Sequence, residues 1–257
     1  MDHIIPKKHL GQHFLKDENI AKKIINSLSG YYLNILEIGP GEGILTKYLL
    51  QLKETKLRLV EIDPDSVALL TKKYPDLKNK IVNADFLKIK PDVLFTAPFA
   101  IIGNFPYNIS SQLLFRILEH RNDIPEVVCM LQKEVAERIS SPPGNKQYGI
   151  MSVLLQAYYN IKLLFTISEK VFYPQPNVQS AVIRLQRNFT QTLRCDESLF
   201  KRIVKTAFNQ RRKTMRNSLI SLVKDKSALT DPIFNNRPEQ LSVEDFVYVS
   251  EIIASSE

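Results

Sequence analysis

Short apolar runs alternate with segments of helical period from Asn34 to about Gln132, and that alternation restricts the chain to few folds. "NILEIG" (34–39), "KLRLVEID" (56–63), "KIVNAD" (80–85), "FAIIGN" (99–104) and "EVVCMLQ" (126–132) read as five strands. Parallel neighbours need crossover connections, usually helical, so the pattern predicts βαβ units around a parallel sheet. Asp63 followed by Pro64 predicts a helix start, an N-cap with proline at the first helical position, and Val67, Leu69 and Leu70 supply an apolar side. "IKLLFTI" (161–167) and "SAVIRL" (180–185) add two strands, joined by the proline-interrupted "FYPQPNVQ" (172–179). No crossover helix fits between them, so this edge is expected to be antiparallel.

After Asn188 the pattern becomes helical: "DESLFKRIVKTAFNQ" and "KTMRNSLISLVKD" carry helical apolar spacing, and "SVEDFVYVSEII" opens with Ser242 and Asp245 in a capping-box arrangement. The expected division is therefore an α/β domain over 1–187, with a basic arm at its start, and a small all-helical domain over 188–257. The net charge of +8 favours an anionic partner such as nucleic acid or an acidic membrane surface. Cys129 and Cys195 lie far apart and outside any CxxC pattern, which points to neither a disulfide framework nor a zinc site. The four histidines and two cysteines form no three- or four-ligand cluster in the sequence, so no metal is expected. The first residues lack the apolar core of a signal peptide, and no stretch reaches about 18 uninterrupted apolar residues. The expectation is a cytoplasmic protein without a membrane span and, with no coiled-coil pattern, a monomer.

"LEIGPGEG" places Gly39, Gly41 and Gly43 at the end of the first strand, where missing side chains let the backbone approach a ligand at a helix N-terminus. Glu61 ends the second strand and Asp85 the third, the positions that line the ligand crevice of an open α/β sheet. Singly, each feature is also compatible with a tight turn or a helix cap, and the series suits either a dinucleotide or another nucleoside cofactor. The order GxGxG, Glu, Asp resembles the Rossmann-like methyltransferases that use S-adenosylmethionine. That resemblance implies cofactor contacts at Gly39, Gly41, Glu61, Ile62, Asp85 and Phe86, with Glu61 on the ribose hydroxyls and Asp85 on the adenine.

"NFPY" follows the fourth strand and so faces the same crevice. An exocyclic amine such as adenine N6 is a poor nucleophile, because its lone pair is delocalised into the ring. Acceptors for its protons favour a more tetrahedral nitrogen. Asn104 can supply a side-chain oxygen and Pro106 a fixed carbonyl, while Tyr107 offers a stacking face worth about 1–3 kcal/mol. The motif resembles the Asn-Leu-Pro-Tyr signature of amino-group methyltransferases, with Phe105 departing from leucine. It weighs against a nicotinamide or flavin cofactor.

"KKHLGQHFL" (7–15), "MLQKEVAERI" (130–139), "VFYPQPNVQSAVIRL" (171–185) and "AFNQRRKTMRNSL" (207–219), with "EIGPGEG" and "GNFPYNIS", closely resemble the ribosomal RNA adenine dimethyltransferases of the kasugamycin-sensitivity type. The resemblance spans nearly the whole chain. It implies a Rossmann-like, seven-stranded methyltransferase domain with a small C-terminal helical domain. It also implies N6 dimethylation of two adjacent adenosines near the 3′ end of small-subunit (16S) RNA, within a 30S assembly intermediate, with S-adenosylhomocysteine as product. His13 and Leu15 match amino-terminal cofactor contacts, although the family often has asparagine at the position of His13. Asn104 matches a cofactor contact as well as a catalytic residue, and Phe172 matches an aromatic that flanks the target base opposite Tyr107. From Ser198 to Lys224 there are eight basic residues and no acid. Arg211, Arg212, Lys213 and Arg216, together with Lys7 and Lys8, are the expected RNA contacts, positioning phosphates without reading sequence. Two other readings use the same scaffold: the macrolide-resistance enzymes of large-subunit RNA, and an assembly factor in which catalysis is secondary.

Overall fold

A computed structural model describes residues 4–30, 32–90, 93–188 and 190–256. A seven-stranded sheet is built from β2 (Asn34–Ile38), β3 (Lys56–Glu61), β4 (Ile81–Asn83), β5 (Ala100–Asn104), β6 (Glu126–Gln132), β7 (Tyr159–Ile167) and β9 (Ser180–Arg187). The order is β4-β3-β2-β5-β6-β9-β7. The first five of these strands run parallel, with Leu36 opposite Arg58 on one side and Ile101 on the other, while β9 runs antiparallel to β6. The reversed edge follows from the short link through residues 168–179, which cannot return a strand in parallel. Central strands covered on both faces need continuous apolar sequence. Ile101, Ile102 and Val127 to Leu131 are accordingly buried.

Between β3 and β4, α3 (Pro64–Lys73) starts where the sequence predicts: Asp63 caps it by accepting from the Asp65 N–H, and Pro64 stands in its first turn. Leu70 is buried, while Val67 and Leu69 are half-buried. Helix α4 (Ser110–Glu119) links β5 to β6 and buries Leu113, Leu114, Ile117 and Leu118. A separate two-stranded ladder pairs β1 (Phe14–Leu15) with β8 (Phe172–Tyr173), Leu15 opposite Phe172. It ties the amino-terminal arm to the loop before β9.

The chain forms two compact units, 1–136 with 161–187, and 137–160 with 188–257. A single boundary near residue 187 is thus corrected: residues 137–160 belong with the helical unit. The reason lies in packing around α6 (Ile150–Gln156), α7 (Glu197–Asn209) and α9 (Val243–Ala254). Tyr148 meets Phe208 edge-on at 6.1 Å, and the Gly144 N–H donates to the Glu239 carbonyl at 2.7 Å. The capping box of α9 is present: the Ser242 hydroxyl accepts from the Asp245 N–H, and the Asp245 carboxylate accepts from the Ser242 N–H. The second expected helix is shorter than its sequence pattern, with α8 confined to Met215–Leu219 and 3-10 turns beyond it. Among the described residues no helix is long and apolar enough to cross a membrane.

Candidate active site

The strand order puts the carboxyl ends of β4, β3, β2 and β5 side by side, so four sequence signals separated by up to 65 positions share one edge. After β2 the chain turns through Gly39 at φ +66° and Gly41 at φ +56°. A Cβ on Gly41 would lie 2.8 Å from the Phe14 ring, so the arm packs directly on the loop. Glu61, 5 % exposed, closes the loop from β3: one carboxylate oxygen accepts from the Gly41 N–H at 3.1 Å, the other from the Asp63 N–H at 2.9 Å. Burial raises its pKa while these N–H donors pull the other way. Each oxygen keeps lone-pair capacity for a further donor.

The arm roofs this edge. Asp63 is buried and accepts from Lys7 Nζ at 2.5 Å and Gln12 Nε2 at 2.8 Å. Burial alone would raise the Asp63 pKa, but these hydrogen bonds hold it below the usual carboxylate range. Lys16 pairs with Glu42 of the glycine loop. Beneath the arm lies a cavity of about 690 Å³, counting the space open to solvent. Its walls include the arm from Leu10 to Leu15, Gly39, Gly41, Glu61, Ile62 and the run from Asn104 to Tyr107. An adjoining hollow shares Gly39, Glu61, Ile62 and Pro106 and adds Asp85, Phe86, Ile109 and Leu113. It offers a mostly apolar slot edged by the Glu61 and Asp85 carboxylates, a composition that suits a purine ring with an exocyclic amine. Asp85 Oδ1 accepts from the Leu87 N–H at 3.0 Å.

Sequence reasoning passed over Glu37. It lines the main cavity, is 1 % exposed, and accepts from the Thr46 hydroxyl at 2.7 Å. Burial pushes its carboxyl up to about 8. The available signal was an acid inside the otherwise apolar "NILEIG" strand.

Asn104 ends β5, and its Nδ2 donates to the His13 carbonyl at 2.8 Å. That bond fixes the amide plane and leaves Oδ1 as the acceptor. Tyr107 shares a 2.6 Å hydroxyl hydrogen bond with buried Ser180, and burial raises the phenol pKa. The His13 ring stacks on Tyr107 with centroids 5.3 Å apart, and its Nδ1–H donates to the Pro174 carbonyl at 2.7 Å. His13, Leu15, Gly39, Gly41, Glu61, Ile62, Asp85, Phe86, Asn104, Pro106 and Tyr107 thus converge on two adjoining hollows. Phe172 is placed differently. It is 5 % exposed within the apolar core beside Leu15 and lines neither hollow, whereas Tyr173 is the exposed ring of that strand.

The basic residues also divide. Lys7 is committed to Asp63 and Asp65, while Lys8 is exposed. In the helical unit Arg211 lies 3.8 Å from Glu239 and against the Phe208 ring, and Arg212, Lys213 and Arg216 are exposed. Among the described residues no group of three or more His, Cys, Asp or Glu is arranged to hold a metal ion.

A glycine loop, a buried strand-end carboxylate and an oriented amide beside a tyrosine share one edge of an open α/β sheet, an arrangement that fits an amino-directed methyltransferase. The chain belongs to the ribosomal RNA adenine dimethylase family, whose model matches residues 6–255. It is 54 % identical to a ribosomal RNA small subunit methyltransferase A of Flavobacterium johnsoniae, over 98 % of this chain and 97 % of the relative. It is likewise 54 % identical to the protein of the same name from Parabacteroides distasonis, over 94 % of this chain and 91 % of the relative. A dimethyladenosine transferase from Plasmodium falciparum shares the fold at TM-score 0.77 and 22 % identity, over 94 % of this chain and 98 % of that one. The 23S rRNA methyltransferase ErmE aligns at TM-score 0.69 and 25 % identity, over 93 % of this chain and 99 % of its own.

Proposed function

We propose that this enzyme transfers methyl groups from S-adenosylmethionine to N6 of two adjacent adenosines near the 3′ end of small-subunit ribosomal RNA. It acts in the cytoplasm as a monomer on an assembling 30S subunit. The observation that carries this reading is the Asn104 amide, anchored through Nδ2 on the edge that also presents the glycine loop and Glu61. The relatives named for the small subunit support that substrate over large-subunit RNA.

The residues present fit the donor. Gly39 and Gly41 expose backbone, Glu61 retains acceptor capacity for ribose hydroxyls, and the Asp85 and Phe86 hollow suits adenine. Glu37 lines the same cavity as Gly39, Gly41 and Glu61. Bound there, the donor would supply an electrophilic methyl on its sulfonium sulfur.

Asn104 Oδ1 and the Pro106 carbonyl accept from the amine protons, which directs the nitrogen lone pair toward the donor cavity. Tyr107 stacks the extruded base. With an activated donor, alignment and exclusion of water supply much of the acceleration. Exposed Arg212, Lys213 and Arg216 of the helical unit contact RNA phosphates.

The test uses labelled S-adenosylmethionine with small subunits lacking these methyl groups, with large subunits and with naked RNA, followed by nucleoside mass spectrometry. N6,N6-dimethyladenosine in small subunits alone supports the proposal. Label in large subunits, or in none of the three, refutes it.

A further inference from the structure

The imidazole of His13 covers a ring face of Tyr107 at 5.3 Å and 27°. Both residues line the donor cavity, and both also line a second cavity, whose other walls include Gln132, Pro174, Gln175 and Asn177. The ring pair therefore stands between the two spaces.

The two rings are held unequally. Tyr107 is fixed through its hydroxyl to Ser180, which is fully buried on β9. The His13 ring is held by the stack and by one hydrogen bond, to the carbonyl of Pro174 in an exposed loop. Its main chain is anchored separately, because its carbonyl accepts from Asn104 and the next residues, Phe14 and Leu15, pair with β8. Rotation about the side-chain torsions of His13 can therefore clear Tyr107 without releasing Asn104.

We propose that His13 is a gate for the acceptor base. Without RNA its imidazole occupies the stacking face of Tyr107, and the incoming adenine takes its place. Imidazole and purine are both flat π systems with polar edges, so one tyrosine face accepts either. The amide-lined second cavity is the route of approach, and Phe172 lines neither space. His13 is then a positioning residue that tunes acceptor affinity. This inference rests on the proposed adenosine transfer.

The test measures the affinity of the S-adenosylhomocysteine-loaded protein for undermethylated small subunits, and KM and kcat for the same substrate. His13→Ala and His13→Asn remove the competing ring, so Kd and KM fall roughly 2- to 10-fold, the equivalent of one aromatic pair. His13→Phe restores a ring on Tyr107 and brings both back toward the parent values. In a Tyr107→Ala background, His13→Ala gives no gain. Equal or weaker binding by both His13→Ala and His13→Asn overturns the gate, as does a gain that persists without Tyr107. Failure of the unsubstituted protein to methylate small subunits would instead defeat the proposed function, and the gate with it.

Discussion

Replacing Glu37 with glutamine tests whether the cavity beneath the amino-terminal arm holds a neutral acid. The carboxyl is 1 % exposed with Thr46 as its hydroxyl partner, and burial raises its pKa from the ordinary 4.5 to about 8. Below pH 4.5 both folded and unfolded chains hold the proton, so this contribution to stability is fully present. Between 4.5 and 8 the unfolded chain gives up a proton that the folded protein keeps, so stability falls as pH rises. The slope is at most about 1.4 kcal/mol per pH unit, or about 3–4 kcal/mol from pH 5 to 8. Glutamine still accepts from the Thr46 hydroxyl but does not titrate, and its buried amide N–H groups add a pH-independent cost of about 1–3 kcal/mol. Glu61, whose pKa is also raised, is common to both proteins, and its charge adds to the burial that raises Glu37. Urea unfolding of parent and Glu37→Gln at several pH values from 5 to 8 gives the difference directly. It should shift in favour of the variant by about 1 kcal/mol per unit. Parallel stability curves would show that Glu37 ionises normally and refute the reasoning.

Two further expectations follow from geometry and charge. A Cβ on Gly103 would lie 2.5 Å from the Ile38 carbonyl oxygen, in the strand that delivers Asn104, so Gly103→Ala must displace β2 or β5. Urea unfolding should register a loss of about 1–3 kcal/mol, with a reduced methylation rate, and a variant matching the parent in both contradicts the packing argument. Substituting Arg212, Lys213 and Arg216 together by alanine should make the slope of log affinity against log salt shallower by about 2–3, as read by filter binding to RNA. An unchanged slope would remove these residues from the RNA contact.

The strands and the glycine loop were legible because each depends on local pattern: apolar runs of strand length, a glycine or acid at the carboxyl ends of β2, β3 and β4, and a proline after a capping aspartate. Asn104 and Glu61 were legible as residues, though their partners were not. The His13 carbonyl lies 91 positions before Asn104, and a two-residue ladder between β1 and β8 carries no periodicity to read. The same limitation conceals the inward turn of Lys7, which reads as a basic arm residue until Asp63 is brought beside it. The unit boundary is not legible because α6 has an ordinary apolar helical pattern, and nothing local shows that α7 and α9 rather than the sheet receive it. Phe172 was recognisable as an aromatic of the site loop, but its burial depends on long-range packing with Leu15.

The central claim is that an anchored Asn104 amide presents its oxygen to the acceptor amine. Its most direct test is the single-turnover rate of Asn104→Ala on undermethylated small subunits at saturating S-adenosylmethionine, with S-adenosylhomocysteine affinity measured separately. Loss of one oriented polar group at a reacting centre predicts a fall of about 10²- to 10³-fold that saturating donor does not restore. A rate within about threefold of the parent, a difference of well under 1 kcal/mol in barrier, would contradict the claim.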